Sequence, residues 1–309
     1  MSQLFHEISK LDTEQINPNT VNIDCSDTTT ILTLINQEDA KVPLAIREEI
    51  PYIAEAVDLI SNAFRLGGRL IYFGAGTSGR LGVVDASECP PTFGVHPEMV
   101  QGVIAGGREA MFQAQEGAED SEQLADEYFD KLGINSKDIV CGIAASGRTP
   151  FVIGALKSAK SRNISTVMIT TISRANAGHL LPISDVLICP FVGAEVIAGS
   201  TRMKSGTAQK LVLNMLTTAA MIKIGKTYNN IMVDLQLTNK KLKERAKKII
   251  MQIADVDYDA AVNLLDITNG KVKPALVMAL ADVKLETANK ALEEANGIVK
   301  KAVKMLITN

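Results

Sequence analysis

The chain has no tryptophan, and aromatic residues make up only 4% of its 309 positions. Flat aromatic platforms, on which nucleic-acid bases stack, are therefore scarce. The chain also lacks a large excess of positive or negative charge, since its formal net charge is only −3. A strongly basic surface is the usual footprint of a protein that binds nucleic acid or an anionic membrane, so we expect neither partner.

Sequence patterns typical of metal sites and of membrane-spanning helices are missing too. The three histidines, His6, His96 and His179, lie far apart, and no HxxxH or CxxC spacing occurs. We therefore expect no metal site and no cofactor. No apolar run approaches the roughly 20 residues of a membrane-spanning helix. The first residues lack a secretory signal, and Cys141 and Cys189 lie in apolar runs typical of buried thiols. We expect a cytoplasmic protein.

What the chain does contain is a central region in which short apolar runs alternate with helical segments. The apolar runs are Leu70–Phe73, Met99–Ile104, Asp138–Ala144, Ser165–Thr170 and Asp185–Cys189, and helices are predicted around 79–87, 108–131, 150–162 and 201–225. Such alternation is typical of a parallel sheet covered by helices on both faces. The predicted fold class is α/β, a doubly wound parallel five-stranded sheet with a small all-helical domain at the C-terminal end.

Changes in composition along the chain predict three segments. Residues 1–49 form an arm, polar at first and then helical from residue 30 to 48. Residues 50–237 form the α/β domain, whose first helix is predicted to begin at about Pro51, a residue suited to a first turn. Residues 238–309 are helical, without a strand pattern.

The most informative stretch follows the first apolar run. Gly74, Gly76 and Gly79 flank two hydroxyl residues, Thr77 and Ser78, where a helix begins. Glycine lets backbone N–H groups face an anion, and a helix N-terminus adds partial positive charge. This turn therefore predicts a phosphate-binding loop.

The same glycines match the GxGxxG spacing of dinucleotide sites. That interpretation requires an acidic residue at the end of the next strand to hold the ribose. The nearest candidate, Glu98, precedes the 99–104 run instead. The dinucleotide hypothesis is therefore disfavoured, and no Gly-Lys-Ser/Thr closes the loop as in a Walker A motif.

A second loop of the same type follows the third apolar run. Ser146, Gly147, Arg148 and Thr149 precede Pro150, where another helix is predicted. Alone, this stretch is explained equally well as an ordinary capped turn. Two such loops at strand ends of one parallel sheet favour a site for a phosphorylated small molecule, because ligands of these sheets bind at the carboxyl ends of the strands.

Longer motifs carry a family resemblance. Residues 74–91, 106–120, 144–150 and 193–210, together with 11–19, look like N-acetylmuramic acid 6-phosphate etherases, which contain a phosphosugar-binding domain of the sugar-isomerase (SIS) class. Glucokinase regulatory protein is a relative with a similar 193–210 motif. The resemblance implies a flavodoxin-like SIS fold and a homodimer. It also implies metal-free cleavage of a lactyl ether, which gives N-acetylglucosamine 6-phosphate and D-lactate.

This chemistry needs a base for the C2 proton and an acid for the departing lactate. Glu88 suits the acid, since it is predicted near the end of a short helix that stops at Cys89, where the helix dipole disfavours negative charge. Glu116 and Glu119, three residues apart, would share a helical face, and the residues alone rank them equally as the base. The resemblance assigns the base to Glu119 and makes Glu116 a substrate-binding residue.

The full set of expected substrate-binding residues comprises Gly76, Thr77, Ser78, Gly79, Ser87, Glu116, Ser146, Gly147, Arg148, Thr149, Glu195, Ser200 and Lys204. Two other functions stay open. One is a non-catalytic phosphosugar-binding regulator, against which the presence of both catalytic glutamates argues. The other is a phosphosugar isomerase, for which His179 is the candidate histidine.

Overall fold

The computed structural model describes residues 11–115, 117–235, 237 and 240–308. The chain divides into two units. The first contains the described part of Met1–Ser87 together with Glu98–Thr217, and the second contains Glu88–Pro97 with the described part of Thr218–Asn309. The domain boundaries that we expect after residues 49 and 237 stay predictions.

The first unit is built on a parallel sheet. Its strands are β1 (Leu70–Gly74), β2 (Val100–Ile104), β3 (Ile139–Ile143), β4 (Ser165–Ile169) and β5 (Val186–Ile188). They lie in the order β2-β1-β3-β4-β5, and every neighbouring pair is parallel. This is the flavodoxin-like order of a doubly wound sheet. The predicted fold class is confirmed, because runs that are apolar throughout are typical of strands buried on both faces.

Helices surround the sheet and make up most of the second unit. They are α1 (Thr28–Asp39), α2 (Val42–Arg65), α3 (Gly76–Phe93), α4 (Gln123–Leu132), α5 (Pro150–Ser161), α6 (Lys204–Lys223), α7 (Lys240–Ala254), α8 (Tyr258–Ile267), α9 (Val272–Ala281), α10 (Leu285–Glu294) and α11 (Val299–Ile307). A short antiparallel pair, β6 (Thr227–Tyr228) and β7 (Ile231–Met232), precedes α7. The sequence pattern did not indicate this hairpin.

One face of the sheet packs through aromatic side chains. Phe73 of β1 is fully buried and stacks on Phe129 of α4, with ring centroids 5.8 Å apart. The ring centroid of Phe151 in α5 lies 5.9 Å from that of Phe73. Each such side chain contributes about 1.5–3 kcal/mol through burial. These contacts hold α4 and α5 at fixed positions on the sheet, and α5 begins at one of the predicted phosphate loops.

Proline misled the helix prediction at two places. Pro51 was expected to start a helix, but it lies inside α2. Pro90 and Pro91 were expected to stop a helix at Cys89, but α3 continues through both of them. Proline removes one backbone hydrogen bond, and burial along these helices outweighs that loss: Ile46 and Ile53 in α2 are almost fully covered.

The helix expected at 108–131 is wrong over its first half. The chain forms a 3₁₀ turn at Gly107–Met111 and an irregular segment before α4 begins at Gln123. Gly106, Gly107 and Gly117 have φ values of +83°, +67° and +74°. A left-handed residue cannot continue a right-handed helix, so these glycines interrupt the helix that the pattern predicts. Glu119 consequently lies in a turn, without a helical face to share.

The described part of the N-terminal arm packs against the first unit. Asn17 donates to the carbonyl of Ala194, and Thr20 donates to the carbonyl of Val196. Asp12 accepts a hydrogen bond from the backbone N–H of Ser173 at 2.7 Å. Residues 11–20 therefore hold two loops that follow β4 and β5, and the prediction for residues 1–10 falls outside the described residues.

The second unit has its own core, formed by α7 to α11 with Val233. Lys226 and Lys273 both pair with Asp234, at 2.7 and 2.9 Å. Burial lowers the pKa of Lys273, although the Asp234 carboxylate opposes this shift. In the described part of the chain, no helix is both long enough and apolar enough to span a bilayer.

Candidate functional site

The sheet topology brings the two predicted phosphate loops together. β1 and β3 are neighbours, and their last residues, Gly74 and Ile143, are paired in register. The chain order reverses between these two strands, and ligands of open α/β sheets bind at this switch point, outside the carboxyl ends of the strands. Both loops leave the sheet at this place.

The first loop is a very tight connection. A single residue, Ala75, separates β1 from α3, and Gly76 begins the helix with a φ of +51°. A Cβ added at Gly79 would lie 2.6 Å from Cγ1 of Ile104 and 2.7 Å from the carbonyl oxygen of Gly74. Only glycine fits there. The tight turn leaves the N–H groups of the first turn of α3 without helical partners, which is the arrangement that binds anions.

The two hydroxyl residues of this loop face α6. Ser78 is buried and donates to Oε1 of Gln209 at 2.9 Å. Thr77 is partly exposed, and a Cβ added at Gly206 would lie 3.4 Å from its Cγ2. The beginning of α6 therefore packs directly on the first turn of α3.

The second loop is also shaped by local hydrogen bonds. Oγ of Ser146 accepts from the backbone N–H of Arg148 at 3.3 Å, which leaves its own hydroxyl hydrogen to donate elsewhere. Gly147 has a φ of +67°. Thr149 precedes α5 without capping the helix through its side chain. Two hydroxyl groups and a helix N-terminus are thus presented at the end of β3.

Glu119 lies next to both loops. Its backbone carbonyl accepts from the N–H of Phe151, in the first turn of α5, at 3.0 Å. Glu119 lines a cavity of about 180 Å³ together with Gly76 and Arg80. Glu119 and the first phosphate loop therefore border the same space. Glu116, its predicted companion, falls outside the described residues.

A second cavity of about 210 Å³ opens beside the other loop. Ser146 and Arg148 line it with Asp12 and His179. Both ring nitrogens of His179 face backbone carbonyls, that of Asn176 at 3.2 Å and that of Gly147 at 3.1 Å. These contacts give the histidine a role in shaping the loop.

Glu88 and Ser87 lie on α3 and are both exposed. The expectation that Glu88 ends its helix is wrong, because α3 continues to Phe93. Oγ of Ser87 donates to the carbonyl of Val84, within the same helix. Glu88 belongs to the second unit and Glu119 to the first, so their meeting around one ligand stays a prediction.

Two residues of the 193–210 motif support the site rather than line it. Glu195 is buried and accepts from the backbone N–H groups of Lys204 and Ser205, so it caps α6. Lys204 is also buried, and its Nζ lies 2.7 Å from Oε2 of Glu38. The direct contact with substrate expected of Glu195 and Lys204 is therefore corrected to a structural role. Ser200 is half-buried, and its assignment stays a prediction.

The start of α6 also reaches the second loop. Oγ of Ser205 accepts from Oγ1 of Thr171 at 2.9 Å. Thr170 donates to the carbonyl of Ala145 at 2.9 Å, and Oγ1 of Thr171 lies 3.2 Å from the same carbonyl oxygen. Ser205 and Gln209, four residues apart on one helix face, thus connect the two loops. The sequence prediction treated this helix as packing alone, and the i, i+4 spacing of its polar residues was the signal that could have identified them.

Metal ligands do not cluster in this region. Among the residues that the structure describes, no group of three or more His, Cys, Asp or Glu side chains is arranged to hold a metal ion. All four cysteines are free thiols, and burial raises the pKa of Cys189 to about 12.

Comparison with solved structures gives distant similarity only. A phosphoheptose isomerase from Francisella tularensis is 15% identical with a TM-score of 0.47, covering 64% of this chain and all of that one. The Vibrio vulnificus NanR protein complexed with ManNAc-6P is 17% identical with a TM-score of 0.44, covering 66% of this chain and 67% of that one.

Sequence comparison is more specific. The family model of the glucokinase regulatory protein N-terminal SIS domain matches residues 52–160. N-acetylmuramic acid 6-phosphate etherases from Salinibacter ruber and Clostridium acetobutylicum are 57% and 53% identical, over 89% and 87% of this chain and 88% of each relative. N-acetylmuramic acid 6-phosphate etherase 2 from Vibrio cholerae is 52% identical over 89% of this chain and 88% of the relative. The chain therefore belongs to the N-acetylmuramic acid 6-phosphate etherase family.

Proposed function

We propose that this protein cleaves the lactyl ether of N-acetylmuramic acid 6-phosphate and releases N-acetylglucosamine 6-phosphate and D-lactate, a step in the catabolism of peptidoglycan amino sugars. The observation that carries the proposal is the cavity that Glu119 shares with the first phosphate loop. A base beside an anion site suits a substrate with a phosphate group at one end and an acidic C–H at the other.

The phosphate would be held by the two loops. The first turn of α3 supplies backbone N–H groups, and the N-terminal ends of α3 and α5 both add partial positive charge. Hydroxyl groups add to these donors, and Arg148 adds a positive charge. The residues that we assign to substrate are Gly76, Thr77, Ser78 and Gly79 of the first loop and Ser146, Gly147, Arg148 and Thr149 of the second.

Glu119 is proposed as the base. In the open-chain sugar, the aldehyde at C1 acidifies the C2 proton, and removal of that proton starts an elimination. The bond between C3 and the ether oxygen breaks, and the lactate leaves with that oxygen. A positioned base of this kind typically contributes about 10²–10⁴-fold.

Glu88 is proposed as the acid that protonates the departing lactate oxygen. Water then adds at C3 while a proton returns to C2, with the two carboxyl groups exchanging roles. The net reaction consumes one water molecule, whose oxygen becomes the C3 hydroxyl. Exposure of Glu88 on α3 leaves its carboxyl accessible for this role.

Isotope labelling tests the reaction directly. The protein is incubated with N-acetylmuramic acid 6-phosphate in D₂O or in H₂¹⁸O. We expect D-lactate without solvent oxygen, and a hexosamine with deuterium at C2 and ¹⁸O at C3. Absence of lactate would contradict the etherase proposal and favour a regulator, whereas a ketose product would identify an isomerase.

Two variants separate the proposed roles. Glu119→Gln should lose both lactate release and C2 proton exchange, because the base is gone. Glu88→Gln should lose lactate release but retain some C2 exchange. Glu127→Gln, an exposed glutamate on α4, serves as the control. The opposite pattern for Glu88 and Glu119 would exchange the two assignments.

We also propose that the enzyme is a homodimer that acts in the cytoplasm. Val84 of α3 and Met215 of α6 are apolar side chains that are 52% and 41% exposed, which agrees with a surface that a second copy covers. Four free thiols agree with a reducing compartment. Molar mass in solution tests the dimer, since a monomer at all concentrations would contradict it.

A further inference from the structure

Gln209 is a polar residue that has no role in the proposed reaction. It lies on α6, and its side chain is completely buried. Its Oε1 accepts the hydrogen bond from Ser78, a residue 131 positions away in the sequence. Among the residues that the structure describes, its Nε2 has no hydrogen-bond partner.

Packing does not explain a glutamine at this position. A buried amide with an unpaired nitrogen costs folding free energy, which an apolar side chain of similar length, such as methionine, would avoid. Buried polar groups without partners are rare in native proteins. The residue that Gln209 contacts, Ser78, belongs to the first turn of α3, where we place the phosphate group.

The direction of the hydrogen bond between Ser78 and Gln209 decides what Ser78 can offer a ligand. While its hydroxyl hydrogen points to Oε1 of Gln209, Ser78 has only lone pairs left and cannot donate to a phosphate oxygen. Rotation of the Gln209 amide by half a turn would bring Nε2 to Oγ of Ser78. The hydroxyl hydrogen would then be free to donate.

Both orientations of the amide leave one of its two polar atoms unpaired. Their costs are therefore similar, and a modest interaction is enough to select one of them. A hydrogen bond to an anionic phosphate oxygen is such an interaction, because it is stronger than one between neutral groups.

We propose that Gln209 is a positioning residue that makes Ser78 a hydrogen-bond donor when the phosphate group binds. In the empty site, Ser78 donates to Gln209. In the occupied site, Nε2 of Gln209 donates to Ser78, and Ser78 donates to the phosphate. No proton is transferred, since only the directions of two hydrogen bonds change. The inference rests on the proposed function, which supplies the phosphate ester.

A thermodynamic cycle tests this inference. Calorimetry gives the dissociation constant of N-acetylglucosamine 6-phosphate for wild type, Gln209→Glu, Ser78→Ala and the double variant. Ionised glutamate has the shape of glutamine but cannot donate, so it keeps the Ser78 hydrogen for itself. We expect Gln209→Glu and Ser78→Ala each to weaken binding by about tenfold, as expected for one lost hydrogen bond to a charged group.

The double variant distinguishes action through Ser78 from simple charge repulsion. If Gln209 acts through Ser78, the double variant binds no more weakly than Ser78→Ala. A further tenfold loss in the double variant, or unchanged binding in Gln209→Glu, would overturn the inference. Gln123→Glu, which adds the same charge at an exposed site on α4, is the control and should bind as wild type does.

A kinetic readout separates positioning from folding. We expect Gln209→Glu to raise KM about tenfold while kcat changes less than twofold, since the lost interaction holds the phosphate equally before and during the reaction. If Gln209→Glu does not fold, Gln209→Met replaces it. We expect Gln209→Met to weaken binding of the phosphosugar by less than tenfold, and to have no effect on binding when Ser78 is already replaced by alanine. Binding of the phosphosugar without lactate release would refute the etherase proposal and leave this inference testable, whereas failure of wild type to bind would overturn both.

Discussion

At the scale of single residues, a buried ion pair supports the start of α6. Glu38 accepts hydrogen bonds from Lys204 and Asn19, at 2.7 and 3.0 Å, and also pairs with Lys41. Burial alone would raise the pKa of Glu38, but the hydrogen bonds from these two lysines and Asn19 outweigh it and lower the pKa to about 2. The ionised form of Glu38 is therefore part of the folded state.

The pH dependence of stability follows from this shift. Because the pKa of Glu38 is lower in the folded than in the unfolded state, its stabilisation is complete above the ordinary value of 4.5 and is lost as the pH falls toward 2. We expect Glu38→Gln to lower the free energy of unfolding by about 3 kcal/mol at pH 6, since it leaves Lys204 buried without its charged partner. The cost should shrink steadily between pH 4.5 and 2.

Urea unfolding at a series of pH values measures this cost. The exposed Glu48 of α2 provides the control, because Glu48→Gln should stay within about 0.5 kcal/mol of wild type throughout. A cost for Glu38→Gln that does not change with pH would show that the carboxylate is not what stabilises the fold.

Gly79 offers a second test at this scale. Gly79→Ala places a methyl group 2.6 Å from Ile104 and 2.7 Å from the backbone of Gly74, so the loop must shift. We expect a loss of about 1–3 kcal/mol in stability and of about a hundredfold in lactate release, because small displacements of binding groups are costly. Gly178→Ala is the matched control, since its added Cβ meets no atom within 4 Å. Equal effects of the two substitutions would argue against a tight first loop.

At the scale of elements, the sequence predicted strands better than helices. The five strands of the parallel sheet were each identified to within one residue at either end, because an apolar run bounded by polar residues reflects burial on both faces. The β6–β7 hairpin was missed. One helix error came from the rule that proline starts a helix, which tertiary packing overrides at Pro51 in α2. Another came from glycines with a left-handed backbone, such as Gly117 before α4, because the pattern of apolar residues does not reveal backbone conformation.

A buried carboxylate connects three elements beside the first loop. Asp85 of α3 accepts hydrogen bonds from Tyr72 of β1 and from Asn214 and Thr217 of α6. Burial raises its pKa despite these donors. We expect Asp85→Ala to lower the free energy of unfolding by about 3 kcal/mol, because it leaves buried donors unpaired. Ser87→Ala, an exposed change on the same helix, should alter stability little. Chemical unfolding of both variants measures this difference. Equal free energies of unfolding for Asp85→Ala and Ser87→Ala would show that Asp85 does not hold the three elements together.

At the scale of the whole molecule, the site depends on contacts that no local pattern contains. The glycines and hydroxyl residues of the two loops were predictable, because each loop follows its own strand. Gln209 was not, since its partner Ser78 lies 131 positions earlier and only the fold brings the two together. Lys204 shows the opposite error: a charged residue in a motif suggested substrate contact, but burial against Glu38 gives it a structural task.

The proposed dimer allows a test of where the two glutamates proposed as catalytic, Glu88 and Glu119, would meet. Glu88→Gln and Glu119→Gln are each expected to be inactive in lactate release. If one subunit supplies Glu88 and its partner supplies Glu119, a mixed dimer contains one intact site. Random reassociation makes half of the dimers mixed, so the mixture should recover about a quarter of wild-type activity.

The outcome depends on subunit exchange, which differently tagged copies of the two variants make measurable. Co-purification through both tags confirms that mixed dimers have formed. Recovered lactate release in this fraction would show that the active site is shared between subunits. Inactive mixed dimers would place both carboxyl groups within one chain, because each subunit would then carry one defective site of its own.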